Sequence, residues 1–150
     1  MARMQTDPID LRGYFPFFIG TITNRWTSTS SRIYLDRFGI GIGEWRVLAS
    51  IRSLGPASSQ EIVNLISMDA SAVSRSMAKL EKNGFVRPIK GKFAGRTKPY
   101  ELTASGIALH AKVSDVALRR EQLLLEDLTG DERAELLRLM RKVMPRLKDL

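Results

Sequence analysis

Between Tyr14 and Phe38, apolar residues fall at Phe15, Phe18, Ile22, Trp26 and Ile33, a three-or-four spacing that predicts a long amphipathic helix with an aromatic N-terminal third. The cluster Gly39, Gly41 and Gly43 breaks the chain, and Val47, Leu48, Ile51 and Leu54 then mark a short second helix that stops at Gly55-Pro56. Ser58 with Glu61 forms a capping-box pattern, because hydroxyl and carboxylate can each satisfy a free backbone N–H at a helix start. A third helix follows from about Ser59 to Ser67, burying Ile62, Val63 and Ile66. After a turn at Met68-Asp69, Val73, Met77 and Leu80 share a narrow arc of a helical wheel and define the buried side of a fourth helix. Ser71, Ser74, Arg75, Ala78 and Lys82 lie opposite, and Asn83-Gly84 ends the helix, since both residues tolerate the left-handed conformation a helix stop requires.

The pattern then changes to short β-prone runs, Phe85 to Lys90 and Thr97 to Thr103, separated by a Gly-containing cationic stretch that suits a hairpin. Pro99 predicts an edge position for the second strand. Helical spacing returns with Leu109, Val113, Val116, Leu123 and Leu124, and Thr129 with Glu132 makes a second capping box. Leu136, Leu139, Met140, Val143 and Leu147 carry the last helix to the end of the chain at near-heptad spacing.

Two short helices, a tight turn, a helix with a polar outer side and a basic hairpin compose a winged helix-turn-helix, spanning about residues 40–103. The fold class expected is therefore mainly α with a small β-hairpin wing. The flanking segments, about 10–38 and 104–150, carry more apolar face than one such lobe can cover, which predicts a homodimer built from the terminal helices. In that dimer Tyr14 to Ile22 of one subunit pack with Leu136 to Leu147 of the other.

Charge sharpens the picture. Between Ser71 and Lys98 the basic residues Arg75, Lys79, Lys82, Arg87, Lys90, Lys92, Arg96 and Lys98 face only Glu81, so the segment carries 8 − 1 = +7 of a net +8. That concentration falls on the one helix and hairpin that would meet a polyanion. A helix about 10–12 Å across fits a major groove about 12 Å wide, where base edges present distinguishable donors, acceptors and methyl groups. The expected DNA-contact set is Ser58, Ser59, Ser71, Ser74, Arg75, Lys79, Lys82, Arg87, Lys90, Lys92, Arg96 and Lys98, acting on double-stranded DNA.

At these residues the chain resembles the MarR (multiple antibiotic resistance regulator) family of transcription factors. The carriers are Phe38-Gly39-Ile40 followed by Glu44-Trp45-Arg46-Val47-Leu48, then Asp69-Ala70-Ser71-Ala72-Val73-Ser74-Arg75, Leu80-Glu81-Lys82-Asn83-Gly84-Phe85-Val86, and Leu102-Thr103-Ala104-Ser105-Gly106. The resemblance implies base or backbone contacts from Ser71, Ser74 and Arg75, and a minor-groove contact from Arg96. Family wings often carry an acidic residue two places before that Arg, where this chain has Ala94. It further implies a repressor on a pseudo-palindromic operator, released by a small aromatic or aryl carboxylate effector. By the same analogy the effector would meet Phe17, Phe18, Arg25, Trp26, Trp45 and Arg46.

Other chemistries find little support. With no Cys and a single His, His110, no His–nucleophile pair or His-rich metal site can be built, so neither an enzyme nor a cofactor is expected. His110 reads as a helix-surface or interface residue. The run Gly39-Ile40-Gly41-Ile42-Gly43 lacks the GxGxxG spacing and follows a helix, and helix-start acidity explains Asp127, Asp131 and Glu132 without a cation. No apolar run reaches the roughly 18–20 residues that span a bilayer, so no membrane is expected as a partner and the expected location is cytoplasmic. A nonspecific nucleoid-organising or RNA-binding winged helix is the alternative of a different class, and a module that binds only protein is a third.

Overall fold

The computed structural model describes residues 8–91 and 97–150. Six helices and a two-stranded antiparallel sheet follow one another as α1 (Phe15–Phe38), α2 (Ile42–Leu54), α3 (Ser59–Ile66), α4 (Ala70–Lys82), β1 (Val86–Pro88), β2 (Tyr100–Leu102), α5 (Ala104–Leu124) and α6 (Gly130–Val143), with a 3-10 helix over Met144–Asp149. The chain forms two compact units, Met1–His110 and Ala111–Leu150, the division falling within α5.

The first unit is the winged helix. Its core joins Tyr34 of α1, Val47, Leu48 and Ile51 of α2, Ile62 of α3, Val73, Met77 and Leu80 of α4, Val86 of β1 and Leu109 of α5, all buried. The expected inner arc of α4 is thus its buried side, with Ser76 added. α3 is shallower than expected: Ile62 is fully buried, Val63 and Ile66 only partly.

Helix ends account for most boundaries. α1 carries Pro in its first turn, where a missing N–H costs no hydrogen bond, and stops at Gly39, whose φ of 71° closes a bond from its N–H to the Leu35 carbonyl. Of the three glycines expected to break the chain, Gly43 belongs to the first turn of α2. A Cβ there would stand 2.8 Å from Ser76 Oγ, so glycine permits α2 and α4 to approach closely. Ser58 and Glu61 form the expected box on α3, Ser58 N–H donating to Glu61 Oε2 at 2.8 Å and Glu61 N–H to Ser58 Oγ at 3.3 Å. At the end of α4 only Gly84 adopts positive φ (75°); Asn83 remains at −85°. Gly84 N–H to Glu81 O and Phe85 N–H to Leu80 O complete a Schellman stop.

The wing strands are shorter than expected and pair Val86 with Leu102, Arg87 with Glu101 and Pro88 with Tyr100. In this two-stranded sheet β2 is an edge strand, as Pro99 suggested, and at Tyr100 it also exchanges hydrogen bonds with Ala57 on its other side, at 3.0 and 2.8 Å. Pro99 precedes the strand and contributes only its carbonyl, which accepts from Ile89 N–H at 2.9 Å, so its lack of an N–H is harmless.

A suture joins the start of α5 to the α4–β1 turn. Thr103 Oγ1 and Ser105 Oγ both donate to the Gly84 carbonyl, at 2.6 and 2.9 Å, and Thr103 N–H donates to Phe85 O. Gly106 packs so tightly that a Cβ would meet Phe85 O at 1.9 Å.

In the second unit Thr129 and Glu132 cap α6 as expected. The last α-helix does not run to the chain end, since Pro145 cannot continue the hydrogen-bond ladder and a 3-10 turn replaces it from Met144. Val113 is the unit's fully buried apolar residue, while Leu123, Leu124, Leu136, Leu139, Val143 and Leu147 are exposed.

Candidate DNA-binding surface

α4 presents Ser71, Ser74, Arg75, Lys79 and Lys82, every one exposed. Asp69 caps the helix, accepting from Ala72 N–H at 3.0 Å. Its second partner is the Ser71 hydroxyl, and Ser71 Oγ in turn accepts from Arg75 Nη1 at 3.2 Å. The Ser71 hydroxyl bond, then the Ala72 N–H, hold the Asp69 carboxyl below the usual carboxylate range. Ser71 and Arg75 are therefore linked in a chain that begins at the cap, while Ser74 stands apart from it.

The remaining members of the expected set divide by what surrounds them. Ser58 is buried, with its hydroxyl engaged by Glu61, so its observed role is the cap and not an outward contact. Ser59 follows it, partly exposed, as the first residue of α3. Lys90 and Lys98 are exposed, each two residues beyond the paired strand residues on the loop side of the hairpin. Lys92 and Arg96, with Ala94, lie outside the described residues.

Folding also supplies carboxylates that a count along the chain omits. Lys79 Nζ lies 3.2 Å from Glu44 of α2, and Arg87 Nε lies 2.7 Å from Glu101 directly across the hairpin. Glu81 accepts from the Tyr100 hydroxyl at 3.3 Å, an acceptor that, after burial, helps push the phenol above its ordinary value. The +7 of the segment thus overstates the surface charge. Among the described residues, Lys82, Lys90 and Lys98 make no ion pair.

The MarR family profile matches residues 40–90, the stretch from the start of α2 through α4 into the hairpin. The multiple antibiotic resistance protein MarR of Escherichia coli is 30% identical over 113 residues, covering 75% of this chain and 78% of that protein. The chain belongs to the MarR family. A crystal structure of a MarR/EmrR family transcriptional regulator from Acinetobacter sp. superposes with a TM-score of 0.87 at 30% identity, over 95% of this chain and all of that one. A mutant Escherichia coli MarR complexed with operator DNA gives 0.76 at 26% identity, over 92% of this chain and all of that one. This MarR-family member is a DNA-binding transcriptional regulator, not an enzyme. Among the described residues, no helix is long and apolar enough to cross a membrane.

The six residues assigned by analogy to an effector do not gather at one place. Trp45 and Arg46 line a groove of about 260 Å³ with Ala49, Ser50, Ser53, Leu65 and Ile66. Arg46 Nη2 donates to Thr27 Oγ1 at 3.2 Å, which brings the groove to the half-buried Trp26 side of α1. Arg25 is exposed. Phe17 and Phe18 meet edge to face at 5.6 Å, but ten residues of helix, about 15 Å, separate Phe17 from Thr27. His110 is half-buried rather than superficial, its ring 5.3 Å from that of Trp45, and burial, then the Arg52 cation, lower its pKa.

Two residues at this surface, Asp69 and Glu44, escaped sequence reasoning. Asp69 before Ala70-Ser71-Ala72 carries an N-cap signal that identifies it, since Asp is favoured at that position. Glu44 carries none, because its capping partner is the backbone of Gly41 and its ionic partner is 35 residues away.

Proposed function

We propose that the protein is a homodimeric repressor that binds a pseudo-palindromic operator and is released by a small aromatic carboxylate. The observation that carries this reading is the outward face of α4, where Ser71, Ser74 and Arg75 stand exposed at the helix start and Lys82 is exposed at its end. A two-fold dimer would offer two such helices to major grooves about 34–36 Å apart. Support for self-association comes from each unit separately: Tyr14, Phe15, Phe18 and Ile22 are exposed in the first, Leu136, Leu139 and Val143 in the second. For the effector, the Trp45–Arg46 groove combines an aromatic ring with a guanidinium, which suits an aryl carboxylate. A tenfold release needs only about 1.4 kcal/mol of preference for the non-binding arrangement.

Selection of bound sequences from a random duplex pool tests the reading. A palindromic consensus should emerge, and Arg75→Ala should cost about 1–3 kcal/mol while relaxing preference at one position of each half-site. Salt-dependent binding with no consensus would mean a nonspecific winged helix instead. Addition of aromatic acids should then release the selected duplex and perturb Trp fluorescence together; failure of the whole panel would remove the effector from the reading.

A further inference from the structure

We infer that Lys79 serves as the anchor of the recognition helix to α2, with Glu44 as its positioning residue, and is not a phosphate ligand. This rests on α4 facing DNA, as proposed above.

Lys79 lies about 60° around the helix from buried Ser76 and about 40° from Arg75, at the flank between the packed side and the outer face. The first turn of α2 closes on that flank. Gly43 comes so near Ser76 Oγ that no Cβ fits, and one residue later the Glu44 carboxylate meets Lys79 Nζ at 3.2 Å. Glu44 itself cannot turn away. Its side chain is only 12% exposed, and its other task is to accept the Gly41 N–H at the start of α2. The carboxylate is held in place while the Lys79 side chain that reaches it is 70% exposed, so solvent screens the pair and its effect is positional and modest.

Two consequences follow for DNA. Lys79 is neutralised before DNA arrives, so few counterions are released on its account. The pair also resists rotation of α4 about its own axis, and that angle decides whether Ser74 and Arg75 point at base edges. Glu44, which touches no DNA in this reading, thereby contributes to base discrimination.

The experiment uses the full chain, a selected operator and a random duplex, each titrated over a range of salt. Lys82→Met should lower the random-duplex slope of log K against log salt by about 1–2 per dimer, as expected for one phosphate per subunit, whereas Lys79→Met should leave it unchanged. Glu44→Gln retains an oxygen for the Gly41 N–H and so keeps the helix start. Glu44→Gln and Lys79→Met should each reduce the operator-to-random ratio by about 3–10-fold, the double variant no further than either alone, and Lys79→Arg hardly at all. A reduced slope in Lys79→Met overturns the anchor. Ratios that are unchanged, or that fall additively in the double variant, overturn the positioning role of the pair. An unchanged slope in Lys82→Met overturns the DNA-facing side of α4 on which both rest.

Discussion

The two units of this regulator solve the same folding problem in opposite ways. The winged helix closes a core on itself: residues from four helices, a hairpin strand and the first turns of α5 bury one another, and Gly106 sits where two backbone segments nearly touch. The second unit has well-made helices without a comparable interior. α6 has a full capping box and an Arg138–Glu135 ion pair, yet none of its residues is buried. Local signals suffice to build a helix; only a complementary apolar surface can bury its face. The contrast teaches that local signals build helices in both units, whereas a core of mutually buried side chains belongs to the first, and both leave apolar faces exposed.

That distinction can be broken most sharply at the uncovered face. If a second copy covers it, Leu136→Glu combined with Leu139→Glu should yield a monomer in sedimentation, with a lobe that keeps its near-ultraviolet signal and an operator affinity lower by roughly 10²–10⁴-fold, because the two half-sites are no longer linked. A dimer with undiminished affinity would show that the exposed leucines serve some other purpose. Next in size are two glycines compared by urea denaturation. Gly106→Ala drives a methyl into the Phe85 carbonyl and should cost about 3 kcal/mol or more. Gly130→Ala, with open space around it, should be neutral or stabilising by up to about 1 kcal/mol. Equal losses at both would erase the difference between the units.

The smallest expected effect concerns protons. Hydrogen bonds from the backbone N–H and then the hydroxyl of Ser58 lower the pKa of Glu61, and those of Thr129 do the same for Glu132. A carboxylate whose folded pKa is depressed contributes stability above its unfolded value, near 4.5, and loses it as pH falls through the lower folded value. Carbon-detected titration of the glutamate carboxyls should find both below the ordinary range, and Ser58→Ala should raise Glu61 while leaving Glu132 in place. Movement of both would mean that the two caps are not independent.

Much of the fold was legible in the sequence because its signals are local. Apolar spacing located the buried side of α4, and both hydroxyl–carboxylate boxes appear where Ser58-Glu61 and Thr129-Glu132 stand. The outward residues of α4 followed from the same wheel. What was illegible depends on distance in sequence. Glu44 and Glu101 neutralise Lys79 and Arg87 only after α2 has packed and the hairpin register is set, so counting charges along the chain could not find them. Tyr100 also bridges to Ala57 across 43 residues, a pairing that no local signal announces. Periodicity places Phe17, Trp26 and Trp45 on helices but says nothing about the spacing between them in the fold.

The suture at Gly84 has a mechanical meaning. One carbonyl receives two hydroxyls from the start of α5, and the glycine beside them admits no slack, so the end of the recognition helix, the first wing strand and the entry of α5 form a keyed joint rather than a hinge. Turning the first turn of α5 against the end of α4 would therefore have to break these hydrogen bonds at the Gly84–Phe85 turn.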